Sequence, residues 1–239
     1  MSEVKNINQL MIYLRNKHQI QISGSLQKRR LRNIGYYHGF KGYRYISTPG
    51  NQVRQIHYSD FNSKKDVIQH FYVNDQNVPI WAIFEVITIG EFGNFVSVAN
   101  LNVKNAISKS LGLNQAFDYN GKLTESIIYQ IKDLRNSIAH NDVIFDARFR
   151  SSNPSRSLIQ SLERDTGIRN ITSNTIVDYF ILVIYLLKSF KLTKTELTKT
   201  LNKFESAVDD AKTNIPQTIY NQIFLPDTKN KLSTLRQYI

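Results

Sequence analysis

From residue 61 to the end of the chain, apolar residues recur at the spacing of α-helices and almost never at that of β-strands. In the clearest segment, Glu125 to His140, five of them lie on one helical face: Ile127, Ile128, Ile131, Leu134 and Ile138. The segment from Ser173 to Phe190 is apolar on nearly all sides and predicts a buried core helix. We therefore predict a predominantly all-α fold, a helical bundle with short connections.

Capping and helix-breaking residues divide the remainder of this region. They predict three shorter helices, over residues 63–72, 79–88 and 102–112. Residues 145–170 are polar and predict a loop or a short helix. Thr193 and Glu196 have the spacing of a capping box, which places the start of an amphipathic helix there.

The positive charge is concentrated near the N-terminus. Ten Lys or Arg and no Asp or Glu lie between Val4 and Ser59. The rest of the chain contains the other 21 of the 31 basic residues and all 19 acidic residues, so its net charge is close to zero. Bases interleaved with aromatic rings are typical of proteins that bind single-stranded nucleic acid. The candidate RNA-binding residues are Lys28, Arg29, Arg30, Arg32, Tyr36, Tyr37, His38, Lys41, Tyr43 and Arg44. A solvated basic face and an anionic lipid surface are the alternatives.

We predict two parts on this basis. Residues 1–60 form a basic, tyrosine-rich RNA-binding segment that is helical or irregular, and residues 61–239 form the helical domain.

Several classes of protein are disfavoured by what the sequence lacks. Without cysteine there is no disulfide, thiolate nucleophile or Cys-ligated zinc site, and a reducing compartment, the cytoplasm, is expected. The longest apolar segment, Ile176 to Leu187, is too short to span a membrane. Phosphate-cradling loops are absent and the five histidines have no metal-binding spacing. We expect no cofactor, no metal and no membrane partner.

One pattern at the end of the clearest helix carries chemistry, an Arg-x-x-x-x-His motif formed by Arg135 and His140. Taken alone, it also fits an ordinary helix end. In that interpretation Arg135 is solvated, His140 suits the negative end of the helix dipole and Asn141 adopts the left-handed cap.

Three segments together give the motif its context. Asp133 to Asn141 resembles the R-N-x-x-x-H-N signature of HEPN domains, which are helical modules that process nucleic acids. The segments LRNIGYYHGFKGY at residues 31–43 and PIWAIFEVITIG at residues 79–90 resemble the abortive-infection (AbiD/AbiF-like) branch of that group. They occur in the family's order, so the chain is similar to this family over about residues 5–190 and a HEPN-like bundle is expected.

The resemblance implies a metal-independent endoribonuclease of phage defence, resembling the toxin half of a toxin-antitoxin pair controlled by a small non-coding RNA. The residues suit this chemistry, because RNA carries its own nucleophile and needs only proton transfer and positive charge. A histidine such as His140 is suited to proton transfer, and Arg135 supplies the positive charge. Asn136 shares the helix face of His140, whereas Arg135 lies about 140° away around the helix. The length of the Arg135 side chain, a loosened helix end or a second copy of the motif must make up the difference. The geometry favours the last of these, a homodimer with a shared site.

Glu85 is the fourth catalytic candidate. A carboxylate on an otherwise apolar helix is costly unless it is solvated or paired, so an exposed position and a pair with Arg135 are the two interpretations. Two other functions stay open. One is a non-catalytic RNA-binding or scaffold protein, and the other is a HEPN module that serves a nucleotidyltransferase.

Overall fold

The computed structural model describes residues 70, 74, 87–118, 120–145 and 149–239. Eight α-helices have their bounds within these residues, and no β-strand occurs among them. The helices are α1 (Ile89–Val98), α2 (Leu101–Ser110), α3 (Lys122–His140), α4 (Arg156–Thr166), α5 (Ile176–Ser189), α6 (Lys194–Asn214), α7 (Gln217–Ile223) and α8 (Thr228–Tyr238). The all-α prediction is confirmed for this part of the chain.

The described residues are divided between two compact units, and the division in the chain falls between Val103 and Lys104. Helix α1 belongs to the first unit, and α3 to α8 belong to the second. The predicted segment 1–60, and with it the proposed domain boundary, lies outside the described residues. Of the helix predicted over residues 63–72, only His70 is described, and it is helical.

The start of α1 corrects one sequence prediction. Residues 87 and 88 are not helical, so the helix predicted over 79–88 does not extend to Thr88. Thr88 instead caps α1, because its hydroxyl accepts the Glu91 N–H at 3.2 Å and its own N–H donates to the Glu91 carboxylate at 2.6 Å. Gly90 therefore lies in the first turn of a new helix.

The second unit is a bundle around α5, which packs against α3, α4 and α6. Its residues Ile181, Ile184 and Leu186 are completely buried. Each such aliphatic side chain stabilises the fold by roughly 1.5 to 3 kcal/mol. The predicted core helix over 173–190 is confirmed, with the bounds Ile176–Ser189.

Three further elements agree with the sequence. Gly112 follows α2 with a left-handed φ of 70°, and its N–H donates to the Lys109 carbonyl at 3.0 Å. The Thr193 and Glu196 capping box is formed at the start of α6. The polar segment 145–170 contains the short helix α4.

A buried ion pair joins α8 to the start of α5. Lys231 Nζ lies 2.8 Å from Asp178 Oδ1, and both side chains are almost fully buried. Thr172 donates to the other Asp178 oxygen through its N–H at 3.1 Å and its hydroxyl at 3.0 Å. None of the helices in the described ranges has the length and apolar character that crossing a bilayer requires.

Candidate active site

The motif residues lie at the C-terminal end of α3, which is held firmly at its start. The buried carboxylate of Asp118 accepts the Leu123 N–H at 2.9 Å, which satisfies one of the free donors at the helix N-terminus. Leu123, Ile127 and Ile131 are completely buried along the inner face. The helix was predicted from Glu125, and it begins one turn earlier, at Lys122.

A row of polar side chains on α3 holds the segment that follows the motif. Ser126 Oγ accepts the Ser155 N–H at 2.7 Å, and Gln130 Nε2 donates to the Ser152 carbonyl at 3.0 Å. Asp133, with 4% of its surface exposed, accepts the Ser151 N–H at 2.7 Å. These contacts fix residues 151–155 against the helix that carries the motif.

Gln130 also reaches another helix of the bundle, and Asp133 makes a second contact within α3. Gln130 Oε1 accepts the hydroxyl of the buried Tyr179 at 2.7 Å. Burial raises the pKa of Tyr179, the charge of Asp133 adds to this effect, and the charge of Arg150 opposes it. The tyrosine therefore stays protonated and remains a hydrogen-bond donor. Asp133 also pairs with Lys132 at 2.9 Å, so its role in the signature stretch is to support the helix.

Arg135 and Asn136 contact each other directly. The guanidinium of Arg135 donates to Asn136 Oδ1 at 3.0 Å, and both side chains are half-buried. His140, one turn further along, is exposed. Its imidazole makes no hydrogen bond or ion pair with any residue that the structure describes. Arg135 and Asn136 thus form a fixed pair, and His140 is open to a ligand.

The helix ends in a regular way immediately after His140. Asn141 adopts the left-handed conformation with φ 57° and ψ 37°, and the Asp142 N–H donates to the Ser137 carbonyl at 2.8 Å. Since α3 stays regular through His140, Arg135 and His140 lie about 140° apart around its axis. A loosened helix end therefore does not bring the two side chains together.

The structure places only part of the predicted site. Arg135, Asn136 and His140 lie together on α3. Glu85 and the predicted RNA-binding residues lie outside the described residues: Lys28, Arg29, Arg30, Arg32, Tyr36, Tyr37, His38, Lys41, Tyr43 and Arg44.

Sequence analysis missed two features beside the motif. Val143 and Phe145 follow the helix end and are exposed by 54% and 52%, although both are apolar. The apolar run Val143-Ile144-Phe145 directly after a polar helix end was the available signal. The second feature is the support that Asp133 and Gln130 give, which no local pattern reveals because their partners are 18 to 49 residues away. Among the described residues, no three His, Asp or Glu side chains are grouped so as to hold a metal ion.

Comparison with known proteins decides the family. A family model described as Abi-like protein matches residues 12–146, which is more than half of the chain. The chain belongs to the Abi-like protein family. The match contains all three segments on which the resemblance to abortive-infection proteins rests, and it ends just after the motif. Searches of curated proteins and of solved structures found no match.

Membership of the Abi-like family indicates a role in phage defence by abortive infection. Helices α4 to α8, which form the rest of the bundle that contains α3, lie beyond the matched residues. The family model therefore matches the motif but only part of the compact unit that contains α3.

Proposed function

We propose that this Abi-like protein is an endoribonuclease that cleaves RNA with Arg135, Asn136 and His140 and needs no bound metal ion. One observation carries the proposal. The exposed imidazole of His140 lies at the end of a well-anchored helix, one turn after the hydrogen-bonded Arg135 and Asn136. Histidine is the side chain best suited to exchange protons near neutral pH, and arginine binds phosphate through two parallel N–H donors.

The reaction follows from the chemistry of RNA. His140 takes the proton of a ribose 2′-hydroxyl, and the 2′-oxygen then attacks the adjacent phosphorus. The bond from phosphorus to the 5′-oxygen breaks as that oxygen takes a proton from water, and His140 releases the proton it accepted to the solvent. The products are a 2′,3′-cyclic phosphate and a 5′-hydroxyl. Arg135 stabilises the charge on the non-bridging oxygens during this step, and Asn136 orients the phosphate or the imidazole.

The relative position of the residues supports a site shared between two copies of the chain. Arg135 is engaged by Asn136 and lies on a different side of α3 from His140. A second α3 brought alongside the first, with its own Arg135 and His140, places both kinds of side chain around one phosphate. The exposed Val143 and Phe145 beside the motif are apolar surface that such a partner can cover.

Cleavage of single-stranded RNA in the presence of EDTA tests the nuclease. We expect products with 2′,3′-cyclic phosphate ends, and a loss of rate of about 100-fold or more in His140→Ala and in Arg135→Ala. Arg156→Ala is the matched control, because this exposed arginine begins α4 and should leave the rate unchanged. Strict dependence on added Mg²⁺, or full activity in His140→Ala, contradicts the proposal.

The basic block at residues 1–60 is proposed to hold RNA, either the substrate or a small inhibitory non-coding RNA. If six of its side chains contact phosphates, log affinity should fall against log salt with a slope of about −4 to −5. Changing Lys28, Arg29, Arg30 and Arg32 together to Ala should reduce that slope by about 3. An unchanged slope rejects the assignment. Sequencing the RNA that co-purifies, and adding it back to the cleavage assay, separates substrate from inhibitor.

A non-catalytic RNA-binding or scaffold function is the second candidate. The observation that favours it is the regular helix end, in which Asn141 is needed for its backbone conformation alone. On that interpretation His140→Ala leaves every RNA-dependent property unchanged. The nuclease proposal instead predicts that this variant loses cleavage and keeps RNA affinity.

A further inference from the structure

A hollow of about 510 Å³ opens between the end of α4 and the loop that precedes α3. None of its lining residues belongs to α3, and all but Phe117 lie beyond the residues that the Abi-like family model matches. Its volume falls within the range of ordinary small-molecule sites, which is about 300 to 1,000 Å³.

The wall of the hollow carries an arginine close to an aromatic ring. The guanidinium carbon of Arg164 lies 5.3 Å from the centre of the Phe117 ring, which is a cation–π distance. Arg164 is exposed, so its guanidinium is accessible to a ligand. Nucleobases stack on planar guanidinium groups as well as on aromatic rings. The pair therefore provides a platform for a flat, aromatic ligand.

Another part of the lining is a loop held in place by two hydrogen bonds. Glu163 accepts the Ile171 N–H at 3.2 Å, and the Asn170 carbonyl accepts the ammonium of the buried Lys231 at 3.0 Å. Asn170 has a left-handed φ of 59°, which this tethering maintains. Arg169, which directly precedes these two anchored residues, is exposed and lines the hollow. A fixed loop loses little entropy when it binds a ligand.

The charges of the lining select the class of ligand. The lining contains two guanidinium groups, those of Arg164 and Arg169, and one carboxylate, that of Glu163, which accepts the Ile171 N–H. The amide side chain of Gln160 adds a donor and an acceptor. A cationic site with a flat stacking surface and amide groups suits a ligand with an anionic group and a hydrogen-bonding aromatic ring.

We propose that this hollow binds one nucleotide, whose base stacks on Arg164 and whose phosphate is bound by Arg169. The nucleotide is either a free mononucleotide or one residue of a single-stranded RNA. In the second case the inference rests on the proposed function, because it adds a point at which the RNA is recognised away from His140.

Binding is measured with the full chain carrying His140→Ala, so that RNA is not consumed. The probes are AMP, GMP, CMP and UMP by calorimetry, and a labelled decamer of mixed single-stranded RNA by fluorescence anisotropy. We expect Arg169→Ala and Arg164→Ala each to weaken binding roughly tenfold. Arg164→Lys keeps the charge and removes the stacking plane, so it should weaken binding about as much as Arg164→Ala. Arg156→Ala, in an exposed residue at the other end of α4, is the matched control.

Each outcome either distinguishes a free nucleotide from RNA as the ligand or contradicts the proposed site. If Arg164→Ala and Arg169→Ala weaken the binding of a mononucleotide, the ligand is a free nucleotide. If these variants weaken only the binding of the RNA decamer, the ligand is RNA. If both probes bind the variants as well as the parent, or neither binds the parent, the proposal is wrong. Because cleavage is assayed separately with His140 intact, a protein without nuclease activity can still bind nucleotide here, and a nuclease can lack this site.

Discussion

Asn141 ends α3 in a backbone conformation that few residues other than glycine adopt without strain, with φ 57° and ψ 37°. The two N–H groups that follow His140 donate to the last turn of the helix, with the Asp142 N–H 2.8 Å from the Ser137 carbonyl. The last residue of the signature therefore has a structural role that its side chain does not need to share.

Substitution at Asn141 separates that structural role from catalysis. Asn141→Gly should retain the free energy of unfolding and RNA cleavage, because glycine tolerates the left-handed conformation. Asn141→Val should lower the free energy of unfolding by about 1 to 2 kcal/mol, because a β-branched residue is strained there. Urea unfolding and the cleavage assay measure the two effects. A folded Asn141→Gly protein that no longer cleaves RNA would give the Asn141 side chain a direct part in the reaction.

Sequence predicted which residues are grouped on α3, but not how their side chains are used. The pattern identified Arg135, Asn136 and His140 and the 140° offset between the first and the last, because helix geometry follows from sequence spacing. The contact between Arg135 and Asn136, adjacent in the chain, depends on side-chain rotamers that spacing does not fix. The support from Asp133 to Ser151 depends on the fold of the following segment.

At the scale of elements, a capping box marks the start of two helices. The Thr193 and Glu196 spacing predicts the correct start of α6. The same spacing at Thr88 and Glu91 begins α1, which the sequence analysis does not predict. Helices α7 and α8 were not predicted either. Helix α7 has seven residues and buries none of them, so it has no apolar period to detect.

The capping box of α6 should make stability depend on pH. Hydrogen bonds from the Thr193 hydroxyl and then from its N–H, at 2.8 and 2.9 Å, lower the pKa of Glu196 below its ordinary value of 4.5. A lowered pKa in the folded state means that the carboxylate stabilises the fold above pH 4.5 and that this contribution is lost as the pH falls through the lowered pKa. Thr193→Ala should cost about 1 kcal/mol of unfolding free energy at pH 7.

Urea unfolding at pH 7 and at pH 3 measures this effect. The difference between Thr193→Ala and the parent should narrow at pH 3, and Thr193→Ser, which keeps the hydroxyl, is the matched control. A Thr193→Ala deficit that is the same at both pH values means that Glu196 does not take part in the cap.

At the scale of the whole bundle, the buried pair of Lys231 and Asp178 links the last helix to the core helix α5. Lysine is rarely buried, and the sequence pattern does not predict α8, so nothing in the sequence indicates that Lys231 lies inside the bundle. Its ammonium also holds the Asn170 carbonyl and lies 3.2 Å from Asp227. One side chain thus fixes the start of α5, the loop after α4 and the first turn of α8.

Lys231→Ala should therefore destabilise the protein strongly, because it leaves the Asp178 carboxylate buried without its cation. We expect a loss of about 3 to 5 kcal/mol in chemical unfolding, the usual cost of breaking a buried pair. Replacing both partners, as Lys231→Met with Asp178→Asn, should cost less than the single change, since no uncompensated charge remains. If the double variant is less stable than Lys231→Ala, the pair contributes attraction well beyond its desolvation cost.

Assembly decides how the motif can work, because a single α3 holds Arg135 and His140 on different sides. In a two-fold dimer each surface patch meets its own copy, so motif helices that lie near the axis bring two Arg135 and two His140 side chains together. Catalysis then belongs to the pair of chains. Changing the exposed Val143 and Phe145 to Ser should shift the mass toward the monomer and lower the cleavage rate in proportion.

Titration of the wild-type chain with His140→Ala chain, at fixed total concentration and after subunits have exchanged, tests the shared site directly. If each chain cleaves RNA independently, activity falls linearly with the wild-type fraction. If both His140 side chains are needed in one site, only dimers of two wild-type chains are active, and activity falls with the square of that fraction. At equal amounts of the two chains the shared site thus leaves a quarter of the activity rather than half. A linear fall, or a monomeric mass under conditions of full activity, contradicts the shared site. In that case Arg135, Asn136 and His140 of a single chain carry out the cleavage.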